Sequence, residues 1–414
     1  MVHLKTEGGS AMTHTLYGDG IHDDYPAIQE LINSGACEVT LPVPKKEYLI
    51  TQTLVLPSNF RLVLPRFARI RLADDANCIM VRNRWVPSFA HRLAEDFTDV
   101  QKHLWYYVDD YAPDAPCENI EICGGIWDFS NMHQLPNFLV TGQIGPRGCT
   151  GSGMTFYNVK NLKLSNMTLK DPVNFAISLD RVTWFTVENI DFDFNKGNPY
   201  QLNMDGVHLN GNCHYGVIRN LKGACYDDTV AINAHEGSRG PITNIEIDGI
   251  FAEGAHSAVR LLTVCNDVEN IHISNVYGSY YQYCIGITKY YPGQTSGVFR
   301  NITLEKVAAC KAPRPWVKGY VYPLLYVQAE TKVQNLVIRD VHRRETLNPV
   351  ETIHVGENTD VDSLILDHIV TENHTGSSMP LLANAGTIRR LTLRDVFPGA
   401  DPLLTGSGAI IQTV

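Results

Sequence analysis

The sequence predicts an all-β protein built as a right-handed parallel β-helix, and three features carry that expectation. Short runs alternate apolar and polar residues with the period of two that marks a strand, not a helix. Many of these runs open on an asparagine: Asn119-Ile-Glu-Ile, Asn161-Leu-Lys-Leu, Asn244-Ile-Glu-Ile, Asn270-Ile-His-Ile, Asn301-Ile-Thr-Leu and Asn335-Leu-Val-Ile, with similar runs at Gly216-Val-Ile, Ser363-Leu-Ile-Leu and Arg390-Leu-Thr-Leu. Where they follow closely, the spacing is about 23 to 34 residues, the range of stacked supersecondary units. Leucine-rich repeats share that period, but their leucine framework and their helix in each unit are missing.

In such a solenoid each strand pairs with the coils above and below at about 4.8 Å, so Ile, Leu and Val fill the interior while alternate residues face out. Asparagine suits the start of a run because it tolerates left-handed backbone and can stack on its neighbour. Residues 1–50 hold the main amphipathic helical pattern and are expected to cap the N-terminal end. Residues 85–116, with Trp85, Trp105, Tyr106, Tyr107 and Tyr111, and residues 311–326, with Trp316, Tyr320, Tyr322 and Tyr326, break the rhythm. Both are expected to be aromatic-rich loop insertions, either walls of a binding face or caps and subunit contacts. The whole of 1–414 reads as one domain.

With 44% apolar, 19% charged and 9% aromatic residues the chain can bury a large core, so extended disorder is not expected. The formal net charge of −10 excludes nucleic acid as an expected partner, because such binders need clustered Lys and Arg. An acidic ligand would need a local basic pocket. No run approaches the roughly 20 apolar residues that span a bilayer, so no membrane partner is expected. Residues 1–10 lack the basic-then-apolar pattern of a secretory leader, which points to the cytoplasm unless a leader was removed. The 10 cysteines are scattered without CxxC pairs and read as reduced core residues. The Asn-x-Thr sequons at Asn166, Asn301 and Asn373 carry no weight without a secretory route. No cofactor is expected.

The segment Tyr17-Gly-Asp-Gly-Ile-His-Asp-Asp-Tyr-Pro-Ala-Ile-Gln29 resembles the opening motif of pectin-degrading β-helix proteins. Lyases, hydrolases and phage tailspikes share that motif, so it marks fold more than activity. Asn203-Met-Asp-Gly-Val-His208 and Cys225-Tyr-Asp-Asp-Thr-Val-Ala-Ile-Asn233 resemble the Asn-Thr-Asp-Gly and Gly-Asp-Asp-x-Ile-Ala-Ile-Lys motifs of the polygalacturonase-like glycoside hydrolases, family 28. The resemblance runs loosely over 16–289 and sharpens over 158–232. It implies hydrolysis of a glycosidic bond with inversion, Asp227 giving a proton to the leaving oxygen while Asp205 and Asp228 activate water. Asn203 stands in the same motif and is expected at the substrate. Gly254-Ala-His256 and Ile287-Thr-Lys289 occupy the regions of the family's Gly-His-Gly and Arg-Ile-Lys, which implies His256 and Lys289 as substrate contacts. Met204 replaces the Thr and Tyr226 the Gly, and the Arg that holds a uronate carboxylate with the Lys is missing. Arg260, from the preceding coil, is the expected substitute.

The residues support this chemistry on their own terms. Asp205 and Asp227 lie 22 positions apart, close to one coil, so a solenoid stacks them on one face. One rung plus a lateral offset is compatible with the roughly 6.5–9.5 Å between acid and base in inverting glycosidases. Adjacent strand residues point to opposite faces, so Asp227 or Asp228 must sit at a strand end or bulge. Three close carboxylates raise at least one pKa, as a general acid near neutral pH requires.

Plainer readings stand beside these. Asp-Asp pairs occur in surface turns, as expected for Asp23-Asp24 and Asp109-Asp110. His256 can be a partly buried coil histidine, Lys289 a solvated lysine among Tyr281, Tyr283, Tyr290 and Tyr291, and Arg260 a structural ion-pair partner. Asp191-Phe-Asp-Phe194 reads as an exposed strand face, with an oxygen-ligand calcium site as the functional alternative. His208, His214, His235 and Glu236 lack the helical spacing of zinc ligands. Three functions follow: an inverting hydrolase trimming an oligosaccharide from a chain end, a lyase or epimerase of an acidic sugar, or a non-catalytic carbohydrate-binding, tailspike-like protein. Hydrolysis expects Asp205, Asp227 and Asp228 to converge outward. The open ends of a solenoid are compatible with a homo-oligomer.

Overall fold

All nine runs read as strands lie in strands of the computed structural model, which describes residues 13–84, 116–141, 151–291, 293, 295–314 and 319–414. Two units are distinguished, Met1–His208 and Leu209–Val414, each built from parallel ladders. Long parallel sheets and few helices place the chain in the expected parallel β-helix class. Among the described residues the α-helices are Tyr25–Ile32 and Phe138–Thr141. No helix of the described residues is long and apolar enough to cross a membrane.

In the first unit, strands Glu38–Thr40, Phe60–Val63, Cys117–Cys123, Val159–Lys170 and Thr183–Asp193 follow one another in one ladder. Leu54–Leu56, Val81–Asn83, Met154–Tyr157 and Ile177–Asp180 form another. Ahead of them, the helix Tyr25–Ile32 buries Ala27, Ile28, Leu31 and Ile32 and forms the expected cap. The pair Asp23-Asp24 is not the surface turn that its composition suggests. Asp24 is fully buried, and its carboxylate accepts the backbone N–H groups of Tyr17 (2.6 Å), Gly18 (3.0 Å) and Leu49 (3.2 Å), which ties the opening motif to the second strand of the chain, Tyr48–Ile50. Asp109-Asp110 lies outside the described residues, as does the 85–116 insertion apart from Pro116.

In the second unit the inner residues align in columns. Ile245, Ile271, Ile302, Leu336, Leu364 and Leu391 are successive partners, all buried. Each such side chain contributes about 1.5–3 kcal/mol by leaving water, so the column fixes register as well as stability. The asparagines form a second column. Asn244, Asn270 and Asn301 have φ of 61°, 56° and 53°. Their amides are chained, Asn270 donating to Asn244 (3.0 Å), Asn301 to Asn270 (2.9 Å) and Asn335 to Asn301 (3.0 Å). Asn119 and Asn161 repeat the pattern in the first unit at 2.7 Å. Two sequons, Asn166 and Asn301, are thereby engaged in amide–amide bonds. Replacing Asn270 by Ala loses both ladder bonds and forces a Cβ-bearing residue without local support into left-handed backbone, an expected cost of about 2 kcal/mol. Asn270→Gly keeps the backbone region open and is expected to cost less. Urea midpoints of the two variants measure the difference.

The other ladder of this unit positions the site. Strands Asp228–Asn233, Ser257–Leu262, Ile285–Thr288, Leu325–Val327, Ile353–Val355 and Leu382–Asn384 stack in parallel. Val230, Val259, Ile285, Leu325 and Ile353 point into the core. Alternation therefore sends the next row, Ala231, Arg260, Gly286, Tyr326 and His354, to the opposite side. The insertion placed at 311–326 is shorter than expected, because Lys311 ends strand Phe299–Lys311 and Tyr326 lies inside strand Leu325–Val327. Trp316 is outside the described residues.

Candidate active site

Asp228 is the first residue of its strand and Asp227 immediately precedes it, so the two neighbours escape strict strand alternation, as the strand-end argument requires. The Asp228 side chain is 0% exposed and that of Asp227 16%. Ser257, the residue paired with Asp228 on the next rung, donates its hydroxyl to one oxygen of Asp228. Arg260 brings Nε to 2.8 Å from the other. Burial raises the Asp228 carboxyl above the ordinary range; Arg260 and His256 oppose that rise, and Asp227 adds to it. Burial also works against the charge of Arg260, but Asp228 outweighs it and keeps the guanidinium protonated.

His256 completes the group. Its backbone N–H donates to Cys225 O (3.0 Å), and its Nδ1 lies 3.4 Å from Asp227 Oδ1 and 3.2 Å from Ser257 Oγ. The ring meets Tyr281 edge-on at 5.2 Å. Burial holds the imidazole pKa down to about 4, with Arg260, Lys311 and Arg314 acting in the same sense and Asp228 against. His256 is therefore neutral at pH 7, its Nδ1 hydrogen-bonded to Ser257 Oγ and set beside Asp227 without acting as its counter-ion. Asp227, Asp228 and His256 each place a ligand-type atom within 4.8 Å of the others, a geometry able to hold a cation, although Arg260 already balances Asp228 there.

Asp205 belongs to the first unit. It is 1% exposed, its Oδ2 lies 2.5 Å from Nδ1 of the equally buried His208, and that ring stacks on Phe175 at 3.7 Å. Asn203 nearby is half-buried, with φ of 50°. The expectation of three outward carboxylates thus meets a different arrangement, in which Asp227 alone keeps exposed surface while Asp205 and Asp228 are buried against His208, and against Ser257 and Arg260. Buried carboxylates need such partners, because desolvation of a lone charge is costly. Arg260 accordingly takes the ion-pair role. Lys289, expected at the substrate, is buried at 7% exposure and pairs with Glu330, while its backbone N–H donates to Gln328 Oε1 at 2.9 Å.

The metal alternatives find their residues otherwise engaged. Asp191 pairs with Arg66 at 2.5 Å and Asp193 with Lys170 at 2.8 Å. His208 goes to Asp205, His214 to Thr243 Oγ1 (2.9 Å), His235 to Cys265 Sγ (3.4 Å), and Glu236 accepts the Tyr291 hydroxyl (2.5 Å). Sequence reasoning missed Ser257, His208 as the partner of Asp205, and the Glu236–Tyr291 pair. His208 had a signal, since it stands three residues after Asp205 across Gly206. Tyr291 and Glu236 are 55 residues apart and nothing local links them.

Residues 149–314 match the model of glycosyl hydrolases family 28. The family 28 match spans Asn203, Asp205, Asp227, Asp228, His256, Arg260 and Lys289. Among solved structures, the chain is similar to an endo-xylogalacturonan hydrolase from Aspergillus tubingensis, with 15% identity, 95% of this chain and 98% of that one covered, and a TM-score of 0.60. It is similar to the tailspike protein of an E. coli bacteriophage, solved with a pentasaccharide, with 12% identity, coverage of 92% and 65%, and a TM-score of 0.58. The A-module of a mannuronan C-5 epimerase from Azotobacter vinelandii shares 11% identity over 96% and 97% of the two chains, with a TM-score of 0.56. At these identities the three structures speak for the fold alone. A hydrolase, an epimerase and a tailspike share this fold, so the fold does not fix the chemistry.

Proposed function

We propose that the protein is a glycoside hydrolase that cleaves a pectic oligosaccharide with inversion, Asp227 acting as the general acid. The observation that carries this reading is the asymmetry of the acidic pair. Asp228 is sealed and balanced by Arg260, whereas Asp227 keeps exposed surface and rests beside a neutral imidazole. In the step, the Asp227 proton goes to the glycosidic oxygen as its bond to the anomeric carbon breaks. The oxygen of a water bonds to that carbon from the opposite face, and the water's proton goes to a carboxylate. The family 28 resemblance assigns that base to Asp205 and Asp228. His256 keeps Asp227 oriented without adding a positive charge that would depress its pKa.

Elimination, the runner-up, needs a base at a carbon-bound proton. Arg260, the cation set against the acidic pair, is protonated and committed to Asp228, which favours hydrolysis. The test is a digest of galacturonic-acid and xylose-substituted galacturonan oligomers followed by mass spectrometry. Products that sum to the substrate plus one water support the proposal, and release of one unit at a time supports attack from a chain end. Products carrying a new double bond, with no water gained, would replace hydrolysis by elimination.

A further inference from the structure

The row opposite the core in the second unit continues past the acidic pair as a rank of rings. Gly286 follows Arg260 in register, and a Cβ there would lie 2.6 Å from the Tyr283 ring, so glycine is what lets Tyr283 lie flat over the strand. Tyr283 is buried against Gly286, the register partner of Arg260, so the rank starts one rung from the strand that pairs with Asp228. Tyr326, one rung on, stacks on Tyr283 with centroids 5.9 Å apart at 23°. His354, a further rung on, lies 5.8 Å from Tyr326. Tyr322 stands edge-on to Tyr326 at 5.3 Å and to the 53% exposed Tyr320 at 4.9 Å. Polar groups are interleaved with these rings. Arg314 sits 5.9 Å from the Tyr322 centroid and donates to Gln282 Oε1 at 3.4 Å, and Glu351 holds His354 Nδ1 at 2.7 Å.

We propose that Tyr322, Tyr326 and His354, backed by the buried Tyr283, form a stacking platform for the sugar chain beyond the cleaved bond, with Arg314 as its anionic-sugar contact. The proposal rests on the hydrolase reading and extends it, since it names several consecutive sugar residues as ligand. Aromatic side chains with polar tips, set one rung of about 4.8 Å apart and interleaved with Arg and Glu, suit rings with one apolar face and a polar rim. A core or a cap would fill such a row with aliphatic residues, as the inner row of the same strands is filled.

The experiment uses the full chain carrying Asp227→Asn, so that bound sugars stay intact, and compares di- and hexagalacturonic acid by calorimetry. The hexamer is expected to bind at least about tenfold tighter than the dimer. Adding Tyr326→Ala or Tyr322→Ala should remove about tenfold from the hexamer and leave the dimer unchanged, while Tyr326→Phe keeps the gain. Equal binding of dimer and hexamer, or no binding of either, overturns the platform. So does a Tyr326→Ala chain whose oligomeric state changes while its binding does not, which would make the rings a subunit contact. Hydrolysis by the wild type is read separately, so the platform can fail while the hydrolase reading stands.

Discussion

Asp227→Asn is expected to lower kcat about 1,000-fold on an unactivated oligosaccharide while leaving KM and the thermal midpoint near their wild-type values. The amide keeps the size and the contact with His256 but has no proton to give to the leaving oxygen. The loss should depend on the leaving group. A nitrophenyl glycoside departs without protonation, so the variant should recover most of the wild-type rate on it. Initial rates on the two substrates measure the contrast. A loss below about tenfold on the natural linkage, or equal losses on both substrates, removes Asp227 from the role of acid.

Arg343→Met is expected to destabilise the protein by about 3–5 kcal/mol. Arg343 and Glu345 are both 0% exposed and joined at 2.8 Å. The guanidinium also donates to Val350 O (2.8 Å), Asn348 O (3.0 Å) and Thr352 Oγ1 (3.1 Å). Glu345 in turn accepts the N–H groups of Leu347 and Asn348, each at 3.0 Å, and of Lys311 at 3.1 Å. The pair thereby closes the 346–352 connection. Removing the arginine strands a buried carboxylate and several carbonyls.

The pH dependence carries a sign. Burial works to raise the Glu345 pKa, and in the wild type Arg343 and the backbone N–H groups outweigh it, leaving the pKa lowered. A lowered folded-state pKa contributes stability above the unfolded value, and that contribution is lost as pH falls through the folded one. In Arg343→Met the balance reverses and the folded pKa rises, so the carboxylate destabilises at neutral pH and less so once protonated. The deficit of the variant should therefore shrink between pH 7 and pH 4. Urea titrations at the two pH values report it, and a deficit that grows on acidification contradicts this account of the pair.

The fold was legible because its two repeating devices are local. An asparagine in left-handed backbone and a following Ile-x-Ile or Leu-x-Leu are each written in four residues, and stacking repeats them. The ladder also shows where local reading stops. Trp184 occupies the position next to Asn161 with φ of 57°, and Tyr215 the position next to Asn244 with φ of 58°, conformations that bulky residues seldom adopt. No composition rule announces them there, and nothing in the structure explains the exchange.

The site was legible in part for a related reason. The residues of the acidic pair and His256 were named from short motifs, and the structure groups them with Arg260. What those motifs could not supply was burial. A charged residue in a strand reads as outward until its partner is known, and the partners of Asp228 and Lys289 lie 29 to 41 positions away, Arg343 two from Glu345, and the partners of Asp24 six to 25. Asp24 shows the point most clearly, because an Asp-Asp pair looks like a solvated turn while its carboxylate in fact ties three backbone N–H groups together. The aromatic rank was visible as composition in Tyr283, Tyr320, Tyr322 and Tyr326, but its order along the strands depends on pairing and on the bare Cα of Gly286.

Inversion with Asp227 as the acid is tested by proton NMR of the anomeric signals during the first minutes of a digest by the wild-type protein, with Asp227→Asn beside it. The account predicts a newly formed anomeric proton of inverted configuration that then mutarotates, and no signal from the variant. A first product of retained configuration, a vinyl proton from elimination, or an undiminished signal from Asp227→Asn would contradict it.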